Sequence, residues 1–359
     1  MEEEQLIYLN AINLIASAKI DALQKINQKF NGDFKKAWRM NLSAFMPKSD
    51  IPFEKNKSKI DPDKEYKKLE SENVKIITME EKDYPQILKE ITDPPFAIYI
   101  QGNAECLNNS CIGIVGTRKI SDYGKQAVGH FAPKLARAGL TIVSGLAKGV
   151  DASAHKSAIE NNLPTIGVLG CGLGRNVFYP PQNWNLSRKI IETGGAVISE
   201  YPLNLKATSF SFPQRNRIIS GLSMAVLIIE ADIKSGSLIT ARSANEQNRE
   251  VYCVPGNIFS ITSKGTNEYI KKGARPVTDP EDILTDLGIS YTNTNQNLVA
   301  SNKIEEKLFE IIPKDIPIHI DEIIRISGFD TGLIQSTLII MEMEDKIKNL
   351  GNDKYTSLK

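Results

Sequence analysis

Long apolar runs are missing from this chain. The longest apolar stretches, such as IGIVG and AVLII, have the length of a β-strand, whereas a membrane-spanning helix needs about 20 consecutive apolar residues. The chain begins MEEEQ, which does not resemble a secretory signal. We therefore expect a cytoplasmic protein that does not associate with membranes.

Cysteine is scarce and unpatterned. The 359 residues include 4 cysteines and no CxxC pair, so neither spacing nor compartment favours a disulfide or a zinc site. Glu230 and Asp232 follow a predicted strand and are candidate metal ligands, but strand-end carboxylates more often order a loop. We expect no metal and no cofactor.

Catalytic motifs are equally scarce. The chain has 3 histidines, and no HExxH, nucleophile elbow or paired-carboxylate motif accompanies them. His155 lies one helical turn after Asp151, where it is a candidate general base, although a hydrogen bond to a loop or to nucleic acid is the simpler role. We expect no catalytic residue and a protein that is not an enzyme.

A net charge of +1 hides a strong asymmetry along the chain. Residues 111–280 carry 20 Lys and Arg against 11 Asp and Glu, whereas residues 1–110 carry 16 against 18 and residues 281–359 carry 8 against 14. A basic middle between neutral and acidic flanks indicates a polyanionic partner for the middle alone. The alternative is that these cations only solvate helix surfaces.

The middle of the chain has the rhythm of βα units. Short Val- and Ile-rich runs are each followed by a glycine turn and an amphipathic stretch, which is typical of a parallel sheet with helices on both faces. The runs begin near Ile112, Thr141, Thr165, Ala196, Met224 and Val251. We predict an α/β fold, an extended Rossmann-like, doubly wound and mostly parallel sheet, over 66–286.

Helical patterns flank this core. Helical spacing over 6–46, broken at Asn31-Gly32, predicts a small helical domain over 1–60, of the helix-hairpin-helix or SAM type. A lysine-rich stretch near 47–65 reads as its linker to the core. Residues 287–302 form a second, polar linker, and three helical patterns with a short hairpin predict a winged-helix-like domain over 303–359.

Acidic residues mark the third helix of that last domain. Its charged residues are Glu342, Glu344, Asp345 and Lys346. Because this helix would enter a DNA groove, its charge opposes contact with phosphates. We expect it to contact protein or to have a structural role.

Ligands of open α/β sheets bind beyond the carboxyl ends of the strands, near helix N-termini. Two loops there carry suitable side chains. Arg118 follows the first strand in GTRKISDYG, and Lys148 follows the second in SGLAKGVDASAH, where Asp151 is the expected helix N-cap. The third strand ends in GCGLGRNVFYPPQN, which only approximates a dinucleotide fingerprint, because Pro180-Pro181 prevents an immediate helix.

The stretch SFSFPQRNRIISGLS is the strongest nucleic-acid signal. It combines planar cations with aromatic rings, which suit phosphates and unpaired bases. The candidate residues are Phe210, Phe212, Arg215, Asn216 and Arg217. The alternative is that Phe212 packs in the core and the arginines pair with Glu200 or Glu230.

A candidate phosphate-binding turn follows the fifth strand. In EADIKSGSLITARS, Ser235, Gly236 and Ser237 stand at a helix start, where backbone N–H groups and hydroxyls bind anions. The stretch lacks the Gly-Lys-Ser/Thr ending of a nucleotide-hydrolysing P-loop.

These motifs together resemble the DprA/Smf family of bacterial DNA-processing proteins. The resemblance spans roughly 84–284 and includes IVGTR, SGLAKGVDASAH, GVLGCGLGRNVFYPPQN, ISEYP, FPQRNRIISGLS, EADIKSGSLITA and VPGNI. It implies a homodimer that binds single-stranded DNA and loads the recombinase RecA during natural transformation, with competence and recombination as its setting. It also places Arg118, Lys148, Arg215 to Arg217 and Ser235 to Ser237 in a DNA pocket.

A Rossmann-like enzyme of the LOG phosphoribohydrolase type is the alternative function. Proteins of that type carry PGGxGTxxE with a glutamate that assists cleavage. The corresponding stretch here, SGSLITARS, has no such glutamate.

Overall fold

The computed structural model describes residues 1–16, 19, 21–46, 53–289, 303–314, 316–343 and 346–358. Contacts divide the chain into two compact units, Met1–Ser290 and Tyr291–Lys359. The helices of the first unit are α1 (Glu3–Ala16), α2 (Ala22–Phe30), α3 (Phe34–Arg39), α4 (Phe53–Lys57), α5 (Pro62–Ser71), α6 (Gln86–Lys89), α7 (Asp122–Arg137), α8 (Val150–Glu160), α9 (Trp184–Glu192), α10 (Ser211–Gly221), α11 (Ser237–Glu246), α12 (Ile261–Lys271) and α13 (Pro280–Asp286). Its strands are β1 (Lys75–Thr78), β2 (Ala97–Gly102), β3 (Cys111–Val115), β4 (Thr141–Ser144), β5 (Thr165–Leu169), β6 (Ala196–Ser199), β7 (Ala225–Ile228), β8 (Glu250–Cys253) and β9 (Arg275–Pro276).

The N-terminal helices pack around α1. Leu9 and Ile12 of α1 and Ile26 of α2 are fully buried, as the helical spacing predicts. The predicted break is present, since Asn31 and Gly32 both have positive φ, a conformation that favours these residues. The chain therefore reverses direction between α2 and α3, and residues of both helices lie in the same buried cluster.

The described part of the lysine-rich stretch, residues 53–65, differs from the predicted linker. It contains α4 and the start of α5. Asp61 caps α5 by accepting the Lys64 N–H at 3.2 Å, and Pro62 is the first helical residue. This pairing of an acidic N-cap with proline starts a helix whatever the surrounding charge.

Six parallel strands form the centre of a nine-stranded sheet with the order β1-β2-β6-β5-β4-β3-β7-β8-β9. Strands β3 to β8 each begin no more than one residue from the predicted start, so the predicted doubly wound α/β fold is confirmed. β2 pairs antiparallel with both β1 and β6 and extends the sheet at one edge. Successive residues alternate between two buried cores, with Tyr99 and Val197 on one face and Ile98 and Ile198 on the other.

The chain reverses its winding direction at β3. β4, β5 and β6 follow on one side of β3, and β7 and β8 lie on the other. Open α/β sheets bind ligands in a crevice at the carboxyl ends of the strands where the winding reverses, which in this sheet lies beside β3.

The second unit has the predicted three helices and hairpin. Its elements are α14 (Lys303–Ile311), β10 (Ile318–His319), α15 (Ile320–Ser327), α16 (Thr331–Met343), β11 (Ile347–Asn349) and β12 (Lys354–Ser357). Leu308, Ile323 and Leu338 form its core, and the strands pair in the order β10-β12-β11. This is a winged-helix arrangement.

Lys346 departs from the prediction for the third helix of this unit. Because α16 ends at Met343, Lys346 lies after the helix; it is buried and donates to Glu305 Oε2 at 2.6 Å. Glu344 and Asp345 lie outside the described residues, as do residues 290–302 of the predicted linker. The predicted domain boundaries remain predictions.

No single helix within the described ranges is long and apolar enough to cross a membrane. The bent pair formed by Ile320–Ser327 and Thr331–Glu342 meets a length and composition criterion only when the two helices are taken together.

Candidate nucleic-acid interface

Three loops meet at the crevice beside β3. They follow β3 (116–121), β4 (145–149) and β7 (229–236). Thr117 N–H donates to Glu230 O at 2.7 Å, and Val150 N–H donates to Thr117 O at 3.2 Å. The loop that carries Arg118 is therefore held from both sides by backbone hydrogen bonds.

Two glycines allow this close approach. A Cβ on Gly116 would lie 2.6 Å from Val150 Cγ2 and 2.9 Å from Glu230 O. Gly149 has φ +79°, and a Cβ there would lie 2.7 Å from the carbonyl carbon of Arg118. Both positions need glycine, which explains the glycines seen in GTR and AKGVD.

A pocket of about 420 Å³ opens at this crevice, and we call it the switch-point pocket. Its lining includes Arg118, Asp151, Phe212, Arg215, Asn216, Ser235, Gly236, Ser237, Ile239 and Thr240. A smaller adjoining pocket of about 180 Å³ shares Arg118, Phe212 and Arg215 and adds Lys148 and Tyr179. The structure thus brings eight of the ten predicted binding residues together and leaves out Phe210 and Arg217.

Arg118 and Lys148 are the exposed cations of the two pockets. The Arg118 guanidinium lies over the Phe212 ring, 5.6 Å from its centroid. The Tyr179 ring lies 5.5 Å from that of Phe212 at an angle of 53°. Arg118 and Phe212 thus line both pockets, and the Tyr179 ring lies beside Phe212 in the smaller one.

Sequence reasoning missed Tyr179. It is 45% exposed and lies in FYPPQN, a segment examined only for a dinucleotide fingerprint. The sequence feature that could have identified it is an aromatic residue directly before Pro180-Pro181. The proline pair prevents a helix at this position, so no helix packs the ring into the core.

Arg215 faces the same pocket but is buried, with 5% of its surface exposed. Its Nη1 donates to Gly145 O at 2.6 Å and also to Val168 O. A Cβ on Gly145 would lie 2.6 Å from the Arg215 Cζ. Arg215 thus ties α10 to the ends of β4 and β5 and supplies positive charge from beneath the pocket.

Asp151 is not the N-cap of α8, contrary to the sequence prediction. Gly149 is the N-cap, and the Asp151 carboxylate accepts N–H groups from Gly145 at 3.1 Å and Ala147 at 3.4 Å. Because the turn at Gly149 starts the helix two residues earlier, the side chain points back into the loop. Burial raises the pKa of Asp151, and the positive charge of Arg215 opposes that rise.

The Ser235–Ser237 turn forms the opposite wall of the pocket. Ser235 Oγ and Ser237 Oγ are 2.7 Å apart, and Asn216 Nδ2 donates to Gly236 O at 3.1 Å. Asn216 therefore positions the first turn of α11, whose N-terminus faces the pocket with its positive dipole end.

Arg217 forms an ion pair with Glu200, which is the alternative that the sequence also allowed. Its Nη2 donates to Glu200 Oε1 at 2.7 Å; Arg217 is buried and Glu200 is partly buried. Residues 215 and 217 differ by about 200° around a helix, so the pocket can receive only one of them. Phe210 lies just before α10 and is 77% exposed, away from the pocket lining.

Two family models match the chain. Residues 75–288 match DNA recombination-mediator protein A, and residues 293–352 match the DprA winged helix domain. The chain belongs to the DNA recombination-mediator protein A (DprA) family.

Several relatives of this DprA-family chain are known. It is 44% identical over 219 residues to Protein Smf of Escherichia coli, and 40% identical over 225 residues to the DNA processing protein DprA of Bacillus subtilis. These matches cover 61% and 62% of this chain, 58% of the Escherichia coli protein and 75% of the Bacillus subtilis protein. The chain thus spans little more than half the length of the Escherichia coli relative.

Two solved structures are similar to this one. DprA of Streptococcus pneumoniae has a TM-score of 0.67 and 32% identity, with 81% of this chain and 99% of that chain covered. DprA of Helicobacter pylori has a TM-score of 0.53 and 32% identity, with 59% and 95% covered, and is described as having a unique single-stranded DNA binding mode.

The candidate general base, His155, lies on α8, where it is buried against the sheet. It is fully buried, and its Nδ1 lies 2.8 Å from Thr165 Oγ1, which itself donates to Ile142 O at 2.7 Å. Because the Thr165 hydroxyl donates its hydrogen bond to Ile142 O, Thr165 Oγ1 is the acceptor for His155, and the imidazole donates from Nδ1–H. Burial lowers the pKa of His155 to about 3, and the residue does not line the switch-point pocket.

Glu230 orders loops. Its carboxylate accepts Ser121 N–H at 2.9 Å, Ser121 Oγ at 2.7 Å and Thr262 Oγ1 at 2.6 Å, which joins the starts of α7 and α12. Among the described residues, no group of three or more His, Cys, Asp or Glu is arranged to hold a metal ion. All four cysteines are buried and free.

Proposed function

We propose that this chain binds single-stranded DNA in the switch-point pocket and acts on it without catalysis. In this proposal it protects incoming DNA and loads RecA during natural transformation and recombination, as a homodimer. The observation that carries the proposal is the meeting of Arg118, Lys148, Phe212 and the Ser235–Ser237 turn at one edge of the sheet.

The chemistry of the pocket favours a single strand over a duplex. The exposed cations and the α11 N-terminus suit phosphates. The Phe212 and Tyr179 rings offer surfaces on which bases stack, and only unpaired bases have free faces to stack there. Arg215 takes a supporting role in this proposal, because its guanidinium is already bonded to backbone carbonyls.

The binding test uses Arg118→Ala/Lys148→Ala, with Arg188→Ala/Lys189→Ala as the matched control. The control removes the same two charge types from exposed positions on α9. Fluorescence anisotropy with a labelled single strand should show roughly tenfold weaker binding for the first variant, and a salt slope smaller by about 1.4, since each phosphate contact contributes about 0.7 for single strands. The control should match the wild-type protein.

The same variant tests the loading step. On single strands coated with single-strand-binding protein, the wild-type chain should shorten the lag before RecA begins to hydrolyse ATP. Arg118→Ala/Lys148→Ala should lose this effect. Equal binding by the variant and the control would remove the pocket from the proposal. If the wild-type chain bound duplex DNA more tightly than single strands, single-stranded DNA would be the wrong ligand.

A further inference from the structure

A second depression continues from the switch-point pocket along α11 toward α12. It has a volume of about 270 Å³, and we call it the side groove. The residues that characterise it are Ile233, Lys234, Leu238, Arg242, Tyr269 and Lys272. It shares Ser235 and Ile239 with the switch-point pocket, so the two depressions adjoin at Ser235.

Positive charge dominates the side groove. Lys234 and Arg242 are exposed, and within the part of the chain that the structure describes neither forms a salt bridge. Lys272 lies 3.7 Å from Glu268, which is the single acidic residue of the lining. Two uncompensated cations therefore lie next to a pocket already lined by Arg118.

Apolar surface accompanies these cations. Ile233 is 59% exposed and Ile239 is 39% exposed, and the half-buried Tyr269 ring is fixed by its hydroxyl, which donates to Leu238 O at 3.4 Å. Burial raises the pKa of Tyr269, and the Arg242 charge opposes that rise; both residues line the side groove. Free cations beside apolar surface are complementary to the phosphates and base faces of an unpaired strand.

We infer that the side groove holds the segment of the DNA strand that leaves the switch-point pocket past Ser235. Lys234 and Arg242 contact its phosphates, while Ile233, Ile239 and Tyr269 contact its bases. The inference rests on the proposed function and adds a direction to it, since the strand runs along α11 on this side of the sheet.

The test compares oligonucleotides of two lengths on Lys234→Ala/Arg242→Ala. The control is again Arg188→Ala/Lys189→Ala, which removes one lysine and one arginine elsewhere. For a strand of about 20 nucleotides we expect roughly tenfold weaker binding and a salt slope smaller by about 1.4. For a strand of about 4 nucleotides, which the switch-point pocket alone accommodates, affinity should stay at the wild-type value.

The charge-conserving Lys234→Arg/Arg242→Lys variant should recover most of the affinity for the longer strand. Unchanged binding of the longer strand by Lys234→Ala/Arg242→Ala would overturn the inference, and the proposed function would still stand if Arg118→Ala/Lys148→Ala weakened both lengths. If neither variant weakened either length, the proposed function itself would fail. A change of oligomeric state in analytical ultracentrifugation, with the length dependence unaltered, would make the groove an interface between copies and would also overturn the inference.

Discussion

Stability should depend on pH through His155. Burial lowers the pKa of this imidazole from its usual 6.5 to about 3. Between those values the unfolded chain binds a proton that the folded chain does not. The stabilisation is therefore complete above pH 6.5 and is lost progressively as the pH falls toward 3.

The magnitude follows from the interval that is crossed. Each pH unit below 6.5 costs about 1.4 kcal/mol, so this histidine should lower the free energy of unfolding by about 2.7 kcal/mol between pH 7.5 and pH 4.5. Urea unfolding of the wild-type chain and of His155→Gln, at both pH values, isolates the contribution of His155 to the free energy of unfolding. Buried carboxylates titrate equally in both proteins, so the difference between the two pH dependences belongs to His155.

If His155→Gln lost as much stability on acidification as the wild-type chain, the imidazole would not be held neutral in the core. The proposed exclusion of His155 from the pocket chemistry would then lose its physical basis.

Two further substitutions test how the pocket is built. Gly145→Ala places a Cβ 2.6 Å from the Arg215 Cζ, so the guanidinium must move; we expect a loss of about 1–3 kcal/mol in stability and weaker single-strand binding, measured by urea unfolding and anisotropy. Glu230→Gln removes the charge that accepts three hydrogen bonds from Ser121 and Thr262 and should cost about 1.5–3 kcal/mol, with faster amide exchange in the loop of Arg118. Unaltered exchange in that loop would show that Glu230 does not hold it.

Most of the sheet could be predicted because its signal is local. Each central strand is a short apolar run bounded by a glycine turn, and burial on both faces makes such runs stand out. Strands β1 and β2, at one end of the sheet, were less clear, since VKIITMEEKDYPQILKEITDPPFAIYIQGN mixes polar and apolar residues. Their place beside β6 depends on long-range pairing that no local pattern contains.

The site was predicted less completely than the fold. Loop location and charge identified Arg118, Lys148 and the Ser235–Ser237 turn, which meet at one pocket. Composition could not separate Arg215 from Arg217, because only the helical phase of α10 decides which one faces the pocket. The same limit applies to Asp151, whose role depends on where Gly149 starts α8.

The hydrogen bonds of Glu230 limit which sequence changes the binding edge of the sheet can tolerate. Glu230 belongs to the segment after β7. Its carboxylate accepts hydrogen bonds from the segments after β3 and β8, and its backbone O accepts the Thr117 N–H of the segment after β3. Altering any one of these segments in length would release the other two. Variation in ligand preference is therefore easiest at side chains that point away from this junction, such as Lys148 and Tyr179, whose replacement leaves the framework of the edge intact.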